Sequence, residues 1–283
     1  MADKNAAFPP LGGEVLTILA GNRTVSFALF EQNKAAPLTT LSMAAEPTRT
    51  ADEYAALLAA MPHRSLSEAD VKTVVLASVV PPLTATLCDA MHVLYPDAVC
   101  LTVGAGLRSG LSIETESPAE LGADLVAMSV GATLAAKPPF LVLCCGDVTT
   151  LCAVGCAGER PAFLGCAILP GTTLNEKTLR GEAALLSTVA LSRPTHAIGK
   201  TTADSVRAGV LLGHAAAIDG LILAFEQELG GDTLPVIATG EEAAALLPLL
   251  SHTTVHDAVL AHKGLCHIAS LNARKSGNAH KRG

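Results

Sequence analysis

The sequence predicts an α/β protein that consists of two lobes. One observation is a glycine-tipped hairpin pattern that occurs twice, and a second is the mixture of strand and helix patterns after each hairpin. The third is composition: half of the 283 residues are apolar and 16% are charged, which excludes general disorder. A chain of this length forms one large or two ordinary domains, and the repeated pattern favours two.

The first hairpin pattern lies near the start of the chain. Residues 15–19 and 24–30 are typical of strands, and the Gly21-Asn22 pair between them accepts positive φ in a tight turn. An antiparallel pair of strands is therefore expected to open the first lobe.

The second hairpin pattern repeats the first one. Residues 141–145 and 149–154 are predicted strands around Gly146-Asp147. Setting Gly21 on Gly146 gives an offset of 125 residues (146 minus 21), which also superposes Thr24 on Thr149. Each lobe is thus expected to begin with antiparallel strands and to end with helices packed on a mixed sheet.

The remaining patterns complete both lobes. Helices are predicted over residues 52–61, 84–94, 174–186 and 202–229, and strands over 73–80, 98–103, 162–168 and, as the last strand, 235–239. Ser117, with Pro118 after it and Glu120 three residues on, predicts a capping box that opens a helix reaching about Ala136. We assign residues 14–118 to the first lobe, 119–271 to the second, and 272–283 to a basic, frayed tail.

Charge and cysteine usage limit the partners. The formal net charge is −7 and positive charge is concentrated only in the tail, so we expect no nucleic-acid partner. The eight cysteines form no C-x-x-C pair and are interpreted as reduced core thiols; Cys152 and Cys156 lack further metal ligands nearby. His252 and His256 are interpreted as a surface pair.

Membrane and export signals are not expected. The N-terminal residues lack the basic, apolar and small-residue order of a signal peptide. The apolar stretches 125–136 and 140–146 are too short to span a bilayer. We therefore expect a soluble, cytoplasmic protein that has no membrane partner.

The glycine turns could carry chemistry. Successive backbone N–H groups of a glycine-tipped turn can converge on an anion such as phosphate. A single Gly-Asn turn is more often an ordinary hairpin, and that alternative stays open for each turn alone. Their occurrence at matching positions of two lobes favours a polyphosphate-binding role.

At this point the chain resembles the type III pantothenate kinase family. The resemblance extends from about Leu16 to Asn272, and it depends on the order and spacing of several short blocks. These blocks are LAGNRTVSFALFE, ASVVPPL, ESPAELGADL, VLCCGDVTTLCAV, FLGCAILPGTTL, AIGKTTADSVRAGVLLG, VIATGEEA and LAHKGL.

The resemblance implies a fold and an activity. The fold would be two ribonuclease-H-like lobes, as in sugar kinases and actin-like ATPases, with a nucleotide cleft between them and usually in a homodimer. The activity would be transfer of the ATP γ-phosphoryl group to pantothenate, the first step of coenzyme A synthesis. The family uses ATP with Mg²⁺ and a monovalent cation, K⁺ or NH₄⁺.

The first phosphate motif of the family has the form D-x-G-N-T. By resemblance Gly21, Asn22, Arg23 and Thr24 bind ATP, but Leu19 occupies the aspartate position and Arg23 the threonine position. Leu19 cannot hold a hydrated Mg²⁺ ion, whereas Arg23 could contact phosphate directly.

The second phosphate motif has the form D-x-G-T-A-T-T. By resemblance Gly146, Asp147 and Thr149 bind ATP, and Cys144 occupies the position of the aspartate that helps to hold the monovalent cation. A thiol is a poor ligand for K⁺, and Asp147 would bring a negative charge towards the phosphates.

The substrate motif G-A-D-R of the family appears as Gly122-Ala123-Asp124-Leu125. By resemblance Asp124 is the general base for the pantothenate hydroxyl, and these four positions contact the substrate. Leu125 replaces the arginine of the family. An aspartate near a helix start could equally be a solvated residue that favours the helix dipole.

Three further positions complete the implied site. Thr115 stands where a tyrosine usually lines the pantothenate pocket, and Thr202 matches a substrate-contacting threonine, or it is a plain N-cap. Gly240 would approach the adenine, and Glu241 replaces the second glycine there.

These positions leave three functional hypotheses open. The chain is a pantothenate kinase that tolerates its substitutions, or a homologue that keeps the fold and a ligand without catalysis and acts in binding or regulation. The third hypothesis is a kinase with another phosphoryl acceptor, since Leu125 and Thr115 alter the acceptor pocket.

Overall fold

The structure is a computed structural model that describes residues 13–31, 34–61, 66, 69–182 and 189–273. The strands are β1 (Glu14–Ala20), β2 (Thr24–Phe30), β3 (Pro37–Ala44), β4 (Val71–Ser78), β5 (Val99–Thr102), β6 (Ser112–Ile113), β7 (Phe140–Cys145), β8 (Val148–Ala157), β9 (Arg160–Pro170), β10 (Val236–Thr239) and β11 (Thr254–His256). The α-helices are α1 (Ala51–Ala60), α2 (Pro81–Leu94), α3 (Ala123–Thr133), α4 (Thr172–Glu182), α5 (Thr202–Arg207), α6 (Gly213–Glu228), α7 (Ala243–Leu246) and α8 (Leu260–Asn272).

The backbone divides into two compact units that are discontinuous in sequence. Unit 1 contains the chain up to Leu111 together with Glu116–Ala135 and the chain from Leu260 onwards, and unit 2 contains Ser112–Thr115 and Ala136–Val259. The sequence suggested a boundary after residue 118, whereas α3 and α8 both lie in unit 1. Residues 274–283 of the expected tail lie outside the described residues.

Unit 1 is built on a five-stranded sheet in the order β3-β2-β1-β4-β5. Strand β2 is antiparallel to β1 and β3, and β4 and β5 run parallel to β1. Leu16 and Ile18 of β1 are fully buried against Tyr54 and Leu58 of α1 and Leu83 of α2. The two parallel crossovers place helices over the sheet, as βαβ connections require.

Unit 2 repeats this strand order. Its sheet runs β11-β10-β7-β8-β9-β6, so β9, β8, β7, β10 and β11 correspond to the order of unit 1, with β6 added beside β9. Leu19 pairs with Ser26 in unit 1 and Cys144 pairs with Thr150 in unit 2, each just before its glycine turn. The predicted hairpins, their correspondence and the two mixed sheets are confirmed.

The predicted start of the helix after residue 117 is wrong. Ser117 makes no capping hydrogen bond through its side chain, and Pro118–Glu120 form only a short 3₁₀ turn. The helix begins later, with Gly122 as its N-cap, and ends at Thr133. Asp124 therefore lies in the first turn of α3.

Several elements were not predicted or differ in extent. Strand 235–239 is not the last one, because β11 follows it and pairs parallel to β10. Strands β3 and β6 and helices α7 and α8 were also missed. The predicted helix 174–186 corresponds to α4, and residues 183–188 lie outside the described residues.

The long helical pattern from Thr202 is confirmed and contains one irregularity. Helices α5 and α6 are joined by a π-helical turn over Ala208–Leu212. By length and composition alone, Thr202–Glu228 is long and apolar enough to cross a membrane, although it lies outside the two apolar stretches named from the sequence. However, Leu211, Ile218 and Ile222 pack into the core of unit 2, and the buried core helices of soluble proteins can be equally long and apolar.

The cysteines differ from the predicted core thiols. All eight are reduced and outside any disulfide, but Cys156 and Cys166 are exposed. Three others are half-buried: Cys88, Cys100 and Cys144.

Helices α3 and α8 approach each other unusually closely in unit 1. A Cβ atom on Gly264 of α8 would lie 1.9 Å from the Ala127 carbonyl oxygen of α3, and one on Gly131 would lie 2.1 Å from the Leu260 carbonyl oxygen. Real Cβ atoms do not come so near to backbone, so only glycine permits this packing.

We expect Gly264→Ala to lower the free energy of unfolding by about 2 kcal/mol or more, because the new methyl group forces α3 and α8 apart. Chemical denaturation measures this change. Gly220→Ala in the exposed part of α6 is the matched control, because a Cβ atom added there would have no other atom within 4 Å. In the control variant the free energy of unfolding should rise by up to about 1 kcal/mol, because alanine has a higher helix propensity than glycine. Equal effects of both substitutions would contradict the close packing.

Candidate functional site

The β1–β2 turn presents the first group of predicted site residues. The Gly21 N–H donates a hydrogen bond to the Thr24 carbonyl oxygen at 2.9 Å, and Asn22 and Arg23 are exposed. Gly21 does not adopt positive φ, so that part of the prediction is wrong. A Cβ atom there would come no nearer than 3.4 Å to the Thr24 oxygen. Neither φ nor packing therefore demands a glycine at this position.

The β7–β8 turn of unit 2 has the same property. Gly146 also lacks positive φ, and the nearest atom to a Cβ there would be the Val148 oxygen at 3.7 Å. By contrast, Gly171 at the end of β9 packs directly on this turn, because its Cβ would lie 2.0 Å from the Gly146 oxygen. The Gly171 N–H also donates to the Asp147 oxygen at 2.9 Å. The backbone of Gly171 therefore packs against one side of the β7–β8 turn.

Thr149 is placed differently from the expected ATP contact. Its side chain is fully buried, and its hydroxyl lies 2.9 Å from Nε2 of His214 on α6. Burial holds the pKa of His214 below its ordinary value, although the nearby Glu242 carboxylate acts in the opposite direction. The Thr149 hydroxyl thus already has an internal partner in unit 2.

Gly240 follows β10 and is required by packing. It adopts φ of +104°, and a Cβ atom there would lie 2.2 Å from the Cys145 carbonyl oxygen. The Glu242 N–H donates to that same oxygen at 2.9 Å. Close contact with β7 therefore explains this glycine without a ligand.

Glu242 holds the start of α4, a role that the sequence patterns did not reveal. Its carboxylate accepts hydrogen bonds from the Thr172 N–H at 2.9 Å, the Thr172 hydroxyl at 2.7 Å and the Thr173 N–H at 3.2 Å. Burial raises the pKa of this carboxyl, but the hydrogen bonds from Thr173 and Thr172 outweigh burial and the pKa is lowered overall. The Glu242 carboxylate therefore occupies the N-terminus of α4, where a negative charge is favourable.

Asp124 lies at the start of α3 in unit 1 and is half-buried. Its Oδ1 accepts a hydrogen bond from the Leu125 N–H at 2.9 Å. Burial raises the pKa of the carboxyl, and the backbone N–H groups of Leu125 and Asp124 only partly oppose it. Gly122 makes room for this arrangement, because a Cβ there would lie 2.4 Å from Asp124 Oδ1. Among the described residues, no ion pair involves Asp124.

The other acceptor-side positions have different environments. Leu125 is buried, with 8% of its surface exposed. Ala123 is the first residue of α3. The Thr115 hydroxyl is buried and has no hydrogen-bond partner within the described ranges. Thr202 is exposed and is not an N-cap, because Thr201 caps α5 by accepting from the Asp204 N–H at 3.1 Å.

The cation positions do not fit the ions that the family uses. Leu19 on β1 offers no oxygen ligand, and Cys144 on β7 offers a soft thiol where K⁺ prefers hard oxygen. No cluster of three or more His, Cys, Asp or Glu side chains within the described part of the chain could hold a metal ion.

A buried histidine ties α8 to the β1–β2 hairpin within unit 1. His262 Nδ1 lies 2.9 Å from the Thr17 hydroxyl, and Nε2 lies 3.0 Å from the Ser26 hydroxyl. The Thr17 hydroxyl already donates to the Ala28 oxygen at 3.0 Å, so Nδ1 carries the proton and Nε2 accepts from Ser26. Burial lowers the pKa of His262 to about 4.

Comparison with solved structures defines the class of protein. A Baf family transcriptional activator from Campylobacter jejuni is 16% identical, with 91% of this chain and 98% of that chain covered at a TM-score of 0.52. A 2-dehydro-3-deoxygalactonokinase protein from Sinorhizobium meliloti is 13% identical, with 91% and 98% covered at a TM-score of 0.51. The repeated strand order and these likenesses show the expected α/β fold of two ribonuclease-H-like units.

Comparison of sequences defines the family. The family model for type III pantothenate kinase matches residues 15–224. Proteins named type III pantothenate kinase are 31% identical over 227 residues in Exiguobacterium sibiricum (80% of this chain, 87% of that protein) and 28% identical over 263 residues in Bacillus cytotoxicus (92% and 97%). A third, from Shouchella clausii, is 33% identical over 231 residues (80% and 87%). The chain belongs to the type III pantothenate kinase family.

The low pKa of His262 gives a pH dependence with a defined sign. The pKa in the folded state, about 4, lies below the ordinary value of 6.5, so the unfolded chain binds this proton first. The contribution of neutral His262 to stability is complete above pH 6.5 and is lost as the pH falls towards 4. The loss should be on the order of 3 kcal/mol in the free energy of unfolding.

Denaturation of the wild type and of His262→Asn at several pH values measures this dependence. The difference between the two curves should shrink between pH 6.5 and 4, and His196→Asn, which alters an exposed histidine, should follow the wild type. A constant difference between wild type and His262→Asn would contradict the network.

Proposed function

We propose that this protein phosphorylates pantothenate with ATP, the first step of coenzyme A biosynthesis, with Asp124 as the general base. The observation that carries the proposal is the carboxylate of Asp124, which the family's substrate motif retains at the start of α3. Three relatives that are named type III pantothenate kinase support the choice of reaction.

The chemistry assigned to Asp124 agrees with its environment. The hydroxyl oxygen of pantothenate would attack the γ-phosphorus of ATP and form the new O–P bond. The bond from that phosphorus to the β–γ bridging oxygen breaks, ADP leaves, and the hydroxyl proton passes to Asp124. Burial raises the pKa of this carboxyl, which brings it nearer to the operating pH and improves its match as a base.

The donor side of the proposal depends on the two glycine turns. We assign ATP contacts to Gly21, Asn22, Arg23 and Thr24 of unit 1 and to Gly146, Asp147, Thr149 and Gly240 of unit 2. Gly21 and Gly146 support this assignment, because neither φ nor packing demands a glycine there and a ligand could approach the backbone closely. Arg23 would supply positive charge to the phosphates.

The acceptor side of the proposal depends on six positions. We assign pantothenate contacts to Thr115, Gly122, Ala123, Asp124, Leu125 and Thr202. The exposed hydroxyl of Thr202 and the unpartnered hydroxyl of Thr115 support their assignment. Because Leu125 is buried, its contact would be limited to its backbone.

The substitutions predict slow turnover. Leu19 and Cys144 remove two oxygen ligands, and Leu125 removes a cationic contact, each of which typically costs about a hundredfold in rate. Mg²⁺ would be held by the ATP phosphates without help from Leu19. Since the Cys144 thiol is a poor ligand for K⁺ or NH₄⁺, the rate should be the same in NaCl as in KCl.

A second candidate is a homologue that binds ligand without catalysis and acts as a regulatory protein. The contact between Thr149 and His214 favours it, because a hydroxyl that is already satisfied in a buried site gains little by turning to a phosphate. Calorimetry with ATP and Mg²⁺ separates the candidates: binding without turnover supports the second, and turnover supports the first.

We also propose that the protein is a cytoplasmic homodimer. The homodimeric state that is usual in the family supports this proposal. Light scattering should give twice the monomer mass, and a monomer at all concentrations would contradict the dimer.

Replacement of the proposed base tests the reaction. We expect Asp124→Asn to lower kcat by about a hundredfold or more, because the amide cannot accept the hydroxyl proton. A coupled assay of ADP release with pantothenate at high enzyme concentration measures the effect.

The matched control is Asp97→Asn, which changes an exposed aspartate of unit 1 and should retain the wild-type rate. Full activity of Asp124→Asn would remove Asp124 from the mechanism. If the wild type shows neither nucleotide binding nor turnover, the kinase proposal itself is overturned.

A further inference from the structure

We propose that Cys88 and Cys100 are a thiol-disulfide exchange site, which forms a reversible disulfide by reaction with a small-molecule disulfide such as glutathione disulfide. Cys88 lies on α2 and Cys100 on β5, both within unit 1. Neither residue belongs to the proposed kinase site, so this inference does not depend on the proposed function.

The two sulfurs are already adjacent. Cys100 Sγ lies 3.5 Å from Cys88 Sγ, and the Thr102 hydroxyl lies 3.8 Å from Cys88 Sγ. Cys100 and Thr102 are two residues apart on β5 and so share the face of that strand that meets α2. A disulfide bond measures about 2.05 Å, so the sulfurs need to approach by only about 1.5 Å. Both thiols are half-buried and accessible to a small reagent.

The surroundings make Cys88 the attacking thiol. The Cys100 thiol donates a hydrogen bond to Cys88 Sγ, and this bond is the main cause that lowers the pKa of Cys88 to about 6. Burial opposes it, the Thr102 hydroxyl and His92 assist it, and the carboxylate of Asp89 weakly opposes it. The same hydrogen bond and burial raise the pKa of Cys100. Cys88 is thus the thiolate near neutral pH, and Cys100 is the resolving thiol.

The reaction balances with glutathione disulfide as oxidant. The Cys88 thiolate attacks one sulfur of glutathione disulfide, forms a mixed disulfide and releases one glutathione thiolate. Cys100 loses its proton and attacks Cys88 Sγ, which forms the Cys88–Cys100 bond and releases the second glutathione. The two protein thiols are oxidised, one glutathione disulfide is reduced to two thiols, and these thiols take up the two protons.

A second cysteine pair in unit 2 provides a contrast. Cys152 and Cys166 face each other across β8 and β9. Cys152 is buried, and its contact with Cys166 and its burial both raise its pKa well above the ordinary value. It is therefore a protonated thiol that a small disulfide cannot easily reach. Cys166 is exposed but Cys152 is buried, so the Cys88–Cys100 pair, in which both thiols are accessible, should be the first to form a disulfide.

The test treats the reduced, full-length protein with glutathione disulfide at pH 7, blocks free thiols with N-ethylmaleimide at intervals, and maps the peptides by mass spectrometry. The expected first product has lost two free thiols, carries no glutathione, and yields a Cys88–Cys100 linked peptide. Dithiothreitol should reverse it. The lowered pKa of Cys88 makes it the more thiolate-rich and faster-reacting thiol of the pair at pH 7.

Three variants separate the roles. Cys100→Ser keeps a hydroxyl donor towards Cys88 and should retain glutathione on Cys88. Cys88→Ser should slow the modification of Cys100 at least about tenfold. Cys156→Ser, which changes an exposed cysteine outside the pair, should form the disulfide at the wild-type rate.

Two outcomes would overturn the proposal. One is glutathione addition at exposed Cys156 or Cys166 before the pair reacts. The other is a stable glutathione adduct on Cys88 in the wild type, since it would mean that Cys100 cannot resolve it. Circular dichroism of each variant should match the wild type, so that a change in reactivity reports the pair and not unfolding.

Discussion

The close contact of α3 with α8 is the constraint on which unit 1 depends. Gly131 and Gly264 let the two helix backbones meet, and this contact brings the end of the described chain back to residues far earlier in sequence. From α8, His262 reaches the β1–β2 hairpin through Thr17 and Ser26. Since α3 carries Asp124 in its first turn, one set of packed backbones fixes both the proposed base and the first glycine turn.

The sequence could predict the parts of the fold that local patterns determine. Two glycine turns at a constant offset predicted two hairpins, and both sheets start from them with the same strand order. Strand β3 escaped prediction because none of its residues is fully buried. Helix α8 escaped because its close packing depends on a distant glycine, Gly131, which no local window contains. The capping box at Ser117 failed because the chain forms a 3₁₀ turn there, before the N-cap at Gly122.

The candidate site was predictable in its positions and less so in its contacts. The motifs identified Asp124, Gly21 and Gly146 from their order along the chain. They could not reveal that the Thr149 hydroxyl meets His214, that Gly240 is demanded by the Cys145 oxygen, or that Thr201 rather than Thr202 caps α5. These contacts join residues that are distant in sequence or depend on φ at one residue, and a motif records only residue types.

Two acidic side chains of unit 2 affect how a phosphate could bind there. Glu242 places a carboxylate at the start of α4, and Asp147 lies in the turn that is proposed to meet phosphate. A phosphate that approached would meet negative charge, and the thiol of Cys144 offers no compensating cation. The backbone of each turn is held by the pairing of its two strands, which does not involve these side chains. Phosphate binding by the backbone of the turns therefore does not require that side chains neutralise the phosphate charge. The backbone contacts can persist even where this neutralisation is weak.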